Sequence, residues 1–366
     1  MRLRSFAVMC SMLFFGAVAA PTSANAATGP RFLTWGKGVG CSLPKLTTDS
    51  QGMSRGFALC GQTGQTGFTA FVYGTGASFT VAKVRGVGGT PVAVTDDGTA
   101  TYAIFAIADT PTYAGAMNLV KRTRAGVVTT VRLGAGSTTD AAVAAHNGRW
   151  WATWALANGN CACTRIFTAK TMGRTWTTRR LPFQGNGVAL AYRSPTSVVF
   201  AYIAPLRKLV VTTGTDSGFS TRFAWGDSVA PGGYTSVSVL FSGGVTRLGF
   251  TYWHTVASAG YADDASGRFV RHLSSHLSSG WDQQLAESNG HVFVTYFPSL
   301  GTWQRIAGPL TVMQRVQGRW SEIVVNPPSG YTQVATPAPI PIAAAGKVTV
   351  FIYVSGRGSG YSAYAV

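Results

Sequence analysis

A glycine turn returns along this chain every 45–51 residues, and that period constrains the fold more than any other feature. The turn is a glycine followed by a small residue and then an aromatic or β-branched one. It recurs at Gly76, Gly126, Gly173, Gly218, Gly267 and Gly318, at spacings of 50, 47, 45, 49 and 51 residues. A second signal precedes each by 23–28 residues: a two-residue turn between alternating apolar runs, at Gln51-Gly52, Asp97-Gly98, Asn147-Gly148, Gly243-Gly244 and Asn289-Gly290. Asx-Gly suits a type I′ hairpin because both central residues need positive φ. The fourth repeat carries Ser194-Pro195-Thr196 instead.

Each repeat therefore holds four short strands. One such sheet cannot bury both of its faces alone, so neighbouring sheets must stack around an axis. The expected fold is all-β, a β-propeller of four-stranded blades. Six glycine turns mark six blades. Beyond Gly318 the segments Pro339–Ala343, Lys347–Val354 and Gly360–Val366 supply three strands of another, and Arg31–Trp35 is left over to provide its outer strand. Seven blades closed by the N-terminal strand is the favoured reading, with six as the alternative.

Composition agrees. Charged residues make up only 11% of the chain and glycine accounts for 45 residues, a profile for strands and tight turns rather than helices. Basic residues outnumber acidic ones 30 to 12, a formal +18. The arginines are scattered, and the densest groups are Lys121-Arg122-Thr123-Arg124 and Arg179-Arg180. That spread fits a surface that keeps a low-charge β protein soluble; as a partner, an extracellular glycan or other anionic polymer is expected before specific nucleic acid.

Residues 1–26 read as a secretory signal, with Arg2 and Arg4 before the apolar run Ser5–Ala20 and a small-x-small site at Ala24-Asn25-Ala26. Residues 27–366 are then one propeller domain, expected to be a secreted monomer with no membrane span. Four cysteines remain, an even number suited to an oxidising compartment. Of the three pairings, Cys41–Cys60 with Cys161–Cys163 keeps each bridge inside one repeat; two free thiols are the alternative for Cys161 and Cys163. No metal or cofactor motif is present.

Ala169-Lys170-Thr171-Met172-Gly173-Arg174-Thr175-Trp176 resembles the Asp box, the Ser-x-Asp-x-Gly-x-Thr-Trp turn of the BNR-repeat, sialidase-like propellers. Gly173, Thr175 and Trp176 match, while Thr171 replaces the aspartate. Thr215-Asp216-Ser217-Gly218 keeps Asp216 and Gly218, and Asp264-Ala265-Ser266-Gly267 is similar with one residue inserted. The resemblance implies a structural turn, with the aspartate fixing turn amides and Trp176, Phe219, Phe269 and Trp320 packed as core. The family's catalytic set of three arginines and a Tyr–Glu pair has no counterpart, so sialidase activity is not expected.

In such a ring the hairpin turns share one end, and the inter-blade loops and second-to-third-strand loops share the other. Sialidase-like enzymes bind at that second end, where concave loop surfaces suit glycans. The candidates there are Asp109, Tyr113, Asp140, Arg207, Asp227, Tyr234, His254, Trp281, Asp282, Trp303 and Arg305. Asp140 and Asp282 each precede an expected innermost strand, and paired carboxylates are what glycoside hydrolysis requires. The alternative is that they cap turns. Three functions compete: glycan or polymer binding without catalysis; a glycoside hydrolase or polysaccharide lyase, the latter using Tyr234, His254 and Arg207; and a cell-surface interaction scaffold.

Overall fold

The structure is a computed structural model that describes residues 28–35, 39–49, 51–62, 67–107, 115–136, 138, 140–158, 161–172, 175–225, 233–253, 257–266, 270–272, 280–298, 309–333, 340–356 and 359–366. It is a seven-bladed β-propeller, each blade an antiparallel sheet. Blade 1 holds Val39–Thr48, Ser54–Gln62, Phe68–Thr75 and Ser78–Lys83. Blade 2 holds Thr90–Asp96, Ala100–Ile107, Ala116–Thr123 and Val128–Ala135; blade 3 holds Ala141–His146, Arg149–Asn158, Cys161–Met172 and Thr175–Gln184. Blade 4 holds Asn186–Ser194, Ser197–Ala204, Lys208–Thr215 and Phe219–Trp225; blade 5 holds Gly233–Ser242, Val245–Trp253, Ala257–Asp263 and Val270–His272. Blade 6 holds Gly280–Ser288, His291–Pro298, Leu310–Val316 and Arg319–Val325.

Blade 7 is assembled from both parts of the chain. Ile340–Ala344, Lys347–Gly356 and Ser359–Ala365 form three strands, and Thr28–Phe32 pairs with the last of them as the outer strand. A short piece, Tyr331–Gln333, pairs with the far end of Lys347–Gly356, so the inner edge of this blade is made in two parts. The seven inner strands contact one another in order around the axis, and the first contacts the last. The ring is closed, and seven rather than six is the count.

Burial falls from the middle of each blade outward, and the sequence follows it. The second strand of blade 2, Ala100–Ile107, is buried along almost its whole length because neighbouring blades cover both of its faces. The outer strand of blade 3, Thr175–Gln184, is exposed over its first six residues. The core is accordingly divided into inter-blade layers, such as Val92, Tyr102, Ile104, Trp150 and Trp154 between blades 2 and 3.

Two sequence expectations need correction. Trp176 is 46% exposed, so the matched Asp-box tryptophan is not core; it lies at the start of an outer strand with no blade beyond it. Phe219 and Trp320 are half-buried and do pack against the core, in the layers between blades 3 and 4 and between blades 5 and 6, and Phe269 lies outside the described residues. The type I′ turn holds at Asn147-Gly148, Gly243-Gly244 and Asn289-Gly290, where both residues have positive φ. At Gln51-Gly52 and Asp97-Gly98 only the glycine does, because Asp49 and Asp97 cap longer turns with their carboxylates. In blade 4 the Ser194 and Ser197 hydroxyls, 2.7 Å apart, close the Pro195-Thr196 turn in place of a glycine.

The disulfide Cys41–Cys60 joins directly opposed residues of the first two strands of blade 1. Cys161 and Cys163 begin the third strand of blade 3, and their side chains lie outside the description.

Candidate functional site

The alternating strand directions put two kinds of connection at opposite ends of the ring. At the loop end, Asp140 stands just before the inner strand of blade 3. Its Oδ2 accepts the Gly187 amide at 2.7 Å and its Oδ1 the Val188 amide at 2.9 Å. Those amides lie in a bulge at the start of the inner strand of blade 4, where the register slips between Asn186 and Ala189. A bulge leaves amides without a ladder partner, and such donors need an acceptor. Burial pushes the Asp140 carboxyl above the ordinary carboxylate range, and the two amides pull it partly back. The carboxylate, with both oxygens engaged, joins blade 3 to blade 4.

Asp282 occupies the equivalent bulge of blade 6, between Trp281 and Gln284. Its side chain and that of Trp281 lie outside the description, as do Asp109, Tyr113, Asp227, His254, Trp303 and Arg305 altogether. The next residue, Gln283, is 1% exposed and reaches Ser236 and Ser238 on the inner strand of blade 5.

Tyr234 is not a loop-surface residue. It is 2% exposed and packs edge-on against Phe250 and Tyr252, with ring centroids 5.4 and 5.2 Å away, in the layer between blades 4 and 5. Its place at the start of an inner strand marks it as a loop candidate, but that strand begins inside the interface. Arg207 does lie on the surface. Leu206 and Arg207 both adopt positive φ, at 61° and 55°, in the tight connection of blade 4. Two non-glycine residues held in this region are costly. The Arg207 stem packs on the Gly233 backbone, where a Cβ would sit 2.2 Å from that of Arg207. Asp140 and Arg207 thus share one arc of the loop end, spanning blades 3 to 5.

The hairpin end gathers charges whose partners the sequence does not disclose. Asp49 takes Arg55 at 2.6 Å and Arg124 at 4.0 Å, and Arg124 also pairs with Asp96 at 2.6 Å. Asp97 accepts the Gly148 amide of blade 3 at 2.7 Å and the Tyr102 hydroxyl at 3.0 Å. Lys170, 7% exposed, lies 4.6 Å from the Trp151 ring and bonds Asp216 of blade 4 at 2.8 Å. Arg222 pairs with Asp264, Arg247 with Glu287, and Arg315 with Asp263. Blades 1 to 6 are linked in sequence by these contacts.

These bonds set the acids' charge. Burial raises the Asp49, Asp97 and Asp263 carboxyls. Hydrogen bonds outweigh it, chiefly Arg55 for Asp49, Thr99 and the Gly148 amide for Asp97, and Arg315 for Asp263, so all three end below the ordinary value. Lys170 holds Asp216 low as well. Asp216 therefore bonds a neighbouring blade, and Asp264 bonds the Thr246 amide across its own blade at 2.6 Å. The Thr171 hydroxyl accepts the Trp150 amide. Scarcity of acids was the one sequence signal for this network: in a chain with so few, each turn aspartate faces an excess of arginine.

No protein-family model matches the chain, and no curated protein matches it in sequence. Among solved structures it is similar to the polysaccharide lyase Uly1, at 10% identity over 88% of each chain and a TM-score of 0.54. It is also similar to a protein of unknown function from Dyadobacter fermentans DSM 18053, at 11% identity over 93% of this chain and 98% of that one, with a TM-score of 0.50. The Aleuria aurantia lectin, a six-bladed propeller, gives 13% identity over 78% of this chain and 98% of its own, with a TM-score of 0.43. At these identities the likeness is one of fold.

Proposed function

We propose that this chain is a secreted propeller that binds an anionic extracellular glycan or similar polymer at its loop end, without catalysis. The observation that carries the reading is the charge balance. Asp49, Asp96, Asp97, Asp140, Asp216, Asp263, Asp264 and Glu287 are all engaged within the ring. At the loop end Arg207 and Lys208 are exposed with no acid beside them among the described residues, as are Arg132 and Arg180 on the outer strands of blades 2 and 3. A surface of this kind attracts polyanions. The disulfide suits an oxidising compartment. No helix among the described residues is long and apolar enough to cross a membrane.

Polysaccharide cleavage is the second reading, because a propeller of similar build carries the name of a polysaccharide lyase. In the first reading Asp140 holds blade 4 in place and takes no part in proton transfer. The test is retention on immobilised polygalacturonate against neutral dextran, with the eluted polymer assayed for new chain ends. Salt-sensitive retention on polygalacturonate alone, with the polymer intact, is the expected result. New chain ends that disappear in Asp140→Ala would replace it with the enzyme reading. Equal retention on both matrices would end the polyanion reading.

A further inference from the structure

The segment that crosses from blade 7 to blade 1 leaves a groove beside it. It has a volume of about 420 Å³ and is lined by Trp35, Val39, Phe68, Phe79, Val81 and Lys83, with Thr80 at its edge. It is an open groove rather than an enclosed cavity. Strand alternation explains the lining. Phe79, Val81 and Lys83 share one face of the outer strand of blade 1, and Phe68 belongs to the same face of the strand beside it. Trp35 stands against Phe79, with ring centroids 5.2 Å apart.

The groove has a chemical direction. Its inner wall is aromatic, with Trp35 and Phe79 buried. Phe68, Lys83 and Val39 lie at the loop-end limits of their strands, so the lining reaches that end of blade 1. The Lys83 ammonium sits 5.2 Å from the Phe68 ring centroid and has no acid beside it among the described residues. An aromatic wall gives the apolar C–H face of a sugar ring a surface to pack on. The Lys83 cation adds a preference for a negative charge on that ring.

We propose that this seam groove binds a pyranose carrying a carboxylate, a hexuronate unit, with its face on the aromatic wall and its carboxylate on Lys83. The class of ligand rests on the glycan reading above; the groove itself does not. A ligand here would touch Trp35 of the N-terminal segment and blade 1 together, so it would also favour the closed ring.

Titration calorimetry of the folded chain with glucuronate and with glucose tests the proposal, alongside retention on polygalacturonate. Saturable binding of glucuronate is expected, with glucose at least tenfold weaker. Lys83→Met, at an exposed position, should keep the melting temperature and weaken glucuronate at least tenfold. Val81→Trp, which fills the groove, should abolish it; where that variant melts early, Lys83→Met decides. Equal binding of the two sugars, or glucuronate affinity untouched by Lys83→Met, overturns the proposal. Polymer retention without any glucuronate binding also overturns it while leaving the loop-end reading standing. Loss of both overturns both.

Discussion

Two parts of the ring are held together in different ways. From blade 1 to blade 6, each blade reaches the next through a carboxylate or an arginine at the hairpin end, as in Asp97 with Gly148, Lys170 with Asp216 and Arg247 with Glu287. At the seam between blades 7 and 1, none of those ion pairs takes part. Thr28–Phe32 adds a backbone strand to blade 7, the Leu33 amide bonds the Tyr361 carbonyl, and Thr34 exchanges two backbone bonds with Ala77 and Phe79. Phe79 then packs on both Trp35 and Phe351, at 5.2 and 5.8 Å.

Chain connectivity accounts for the difference. Consecutive blades are tethered by short links, so their docking closes only a small loop. The seam joins segments more than 300 residues apart, and closing such a loop costs about 5 kcal/mol beyond the constant term. A strand that is paired along its backbone and backed by buried aromatics can offset that; a surface ion pair, worth about 0–1 kcal/mol, cannot. The arc thus uses polar contacts for alignment, and the seam uses burial for strength.

The sharpest way to break this contrast is to remove residues 28–35. The expected outcome is loss of the cooperative fold, seen as a broad or absent melting transition and early elution on size exclusion. Next in size, Phe79→Ala should cost about 3–5 kcal/mol in denaturant unfolding, because it empties the seam from both sides. Asp97→Ala should cost about 1–3 kcal/mol, since it strands the Gly148, Thr99 and Ala100 amides. Asp216→Asn, at a side chain 56% exposed, should cost under about 1 kcal/mol.

The smallest expected effect is a difference in acid sensitivity. The Asp49, Asp97 and Asp263 carboxyls sit below their ordinary value of 3.8 in the folded ring. Their contribution is present above the unfolded value and is lost as pH falls through it towards the folded one. Asp140, raised by burial, acts in the opposite sense and gains on acidification. Stability measured from pH 6 to pH 3 should therefore fall, and Asp97→Asn should flatten that fall. Phe79→Ala should leave its slope unchanged.

The ring was legible in the sequence because its period and turn residues are backbone requirements that recur in every blade. An N-terminal strand could be assigned to closure because one blade lacked one strand, but it is Thr28–Phe32 rather than the expected Arg31–Trp35, whose Thr34 bridges to Ser78 of blade 1. Trp176 was misread for a related reason: a turn motif says where a chain bends, not whether another blade lies beyond the bend. Tyr234 reads as a loop residue because sequence places strand starts only to within a few positions. Scarcity of acids hints at the hairpin-end network, but its pairings are not legible, as Lys170 and Asp216 lie 46 residues apart and meet only when two blades dock. Asp140 is legible as a residue just before an inner strand, but the bulge amides it serves belong to a strand whose register no local pattern discloses.

Amide hydrogen exchange at the seam tests the central claim most directly, because it reads whether the two remote segments open as one unit. The account predicts that the Leu33 and Thr34 amides are protected as strongly as those of Val348–Val354 and lose protection together with them as denaturant is added. Exchange of Leu33 and Thr34 at unfolded-chain rates, while Val348–Val354 stays protected, would contradict it.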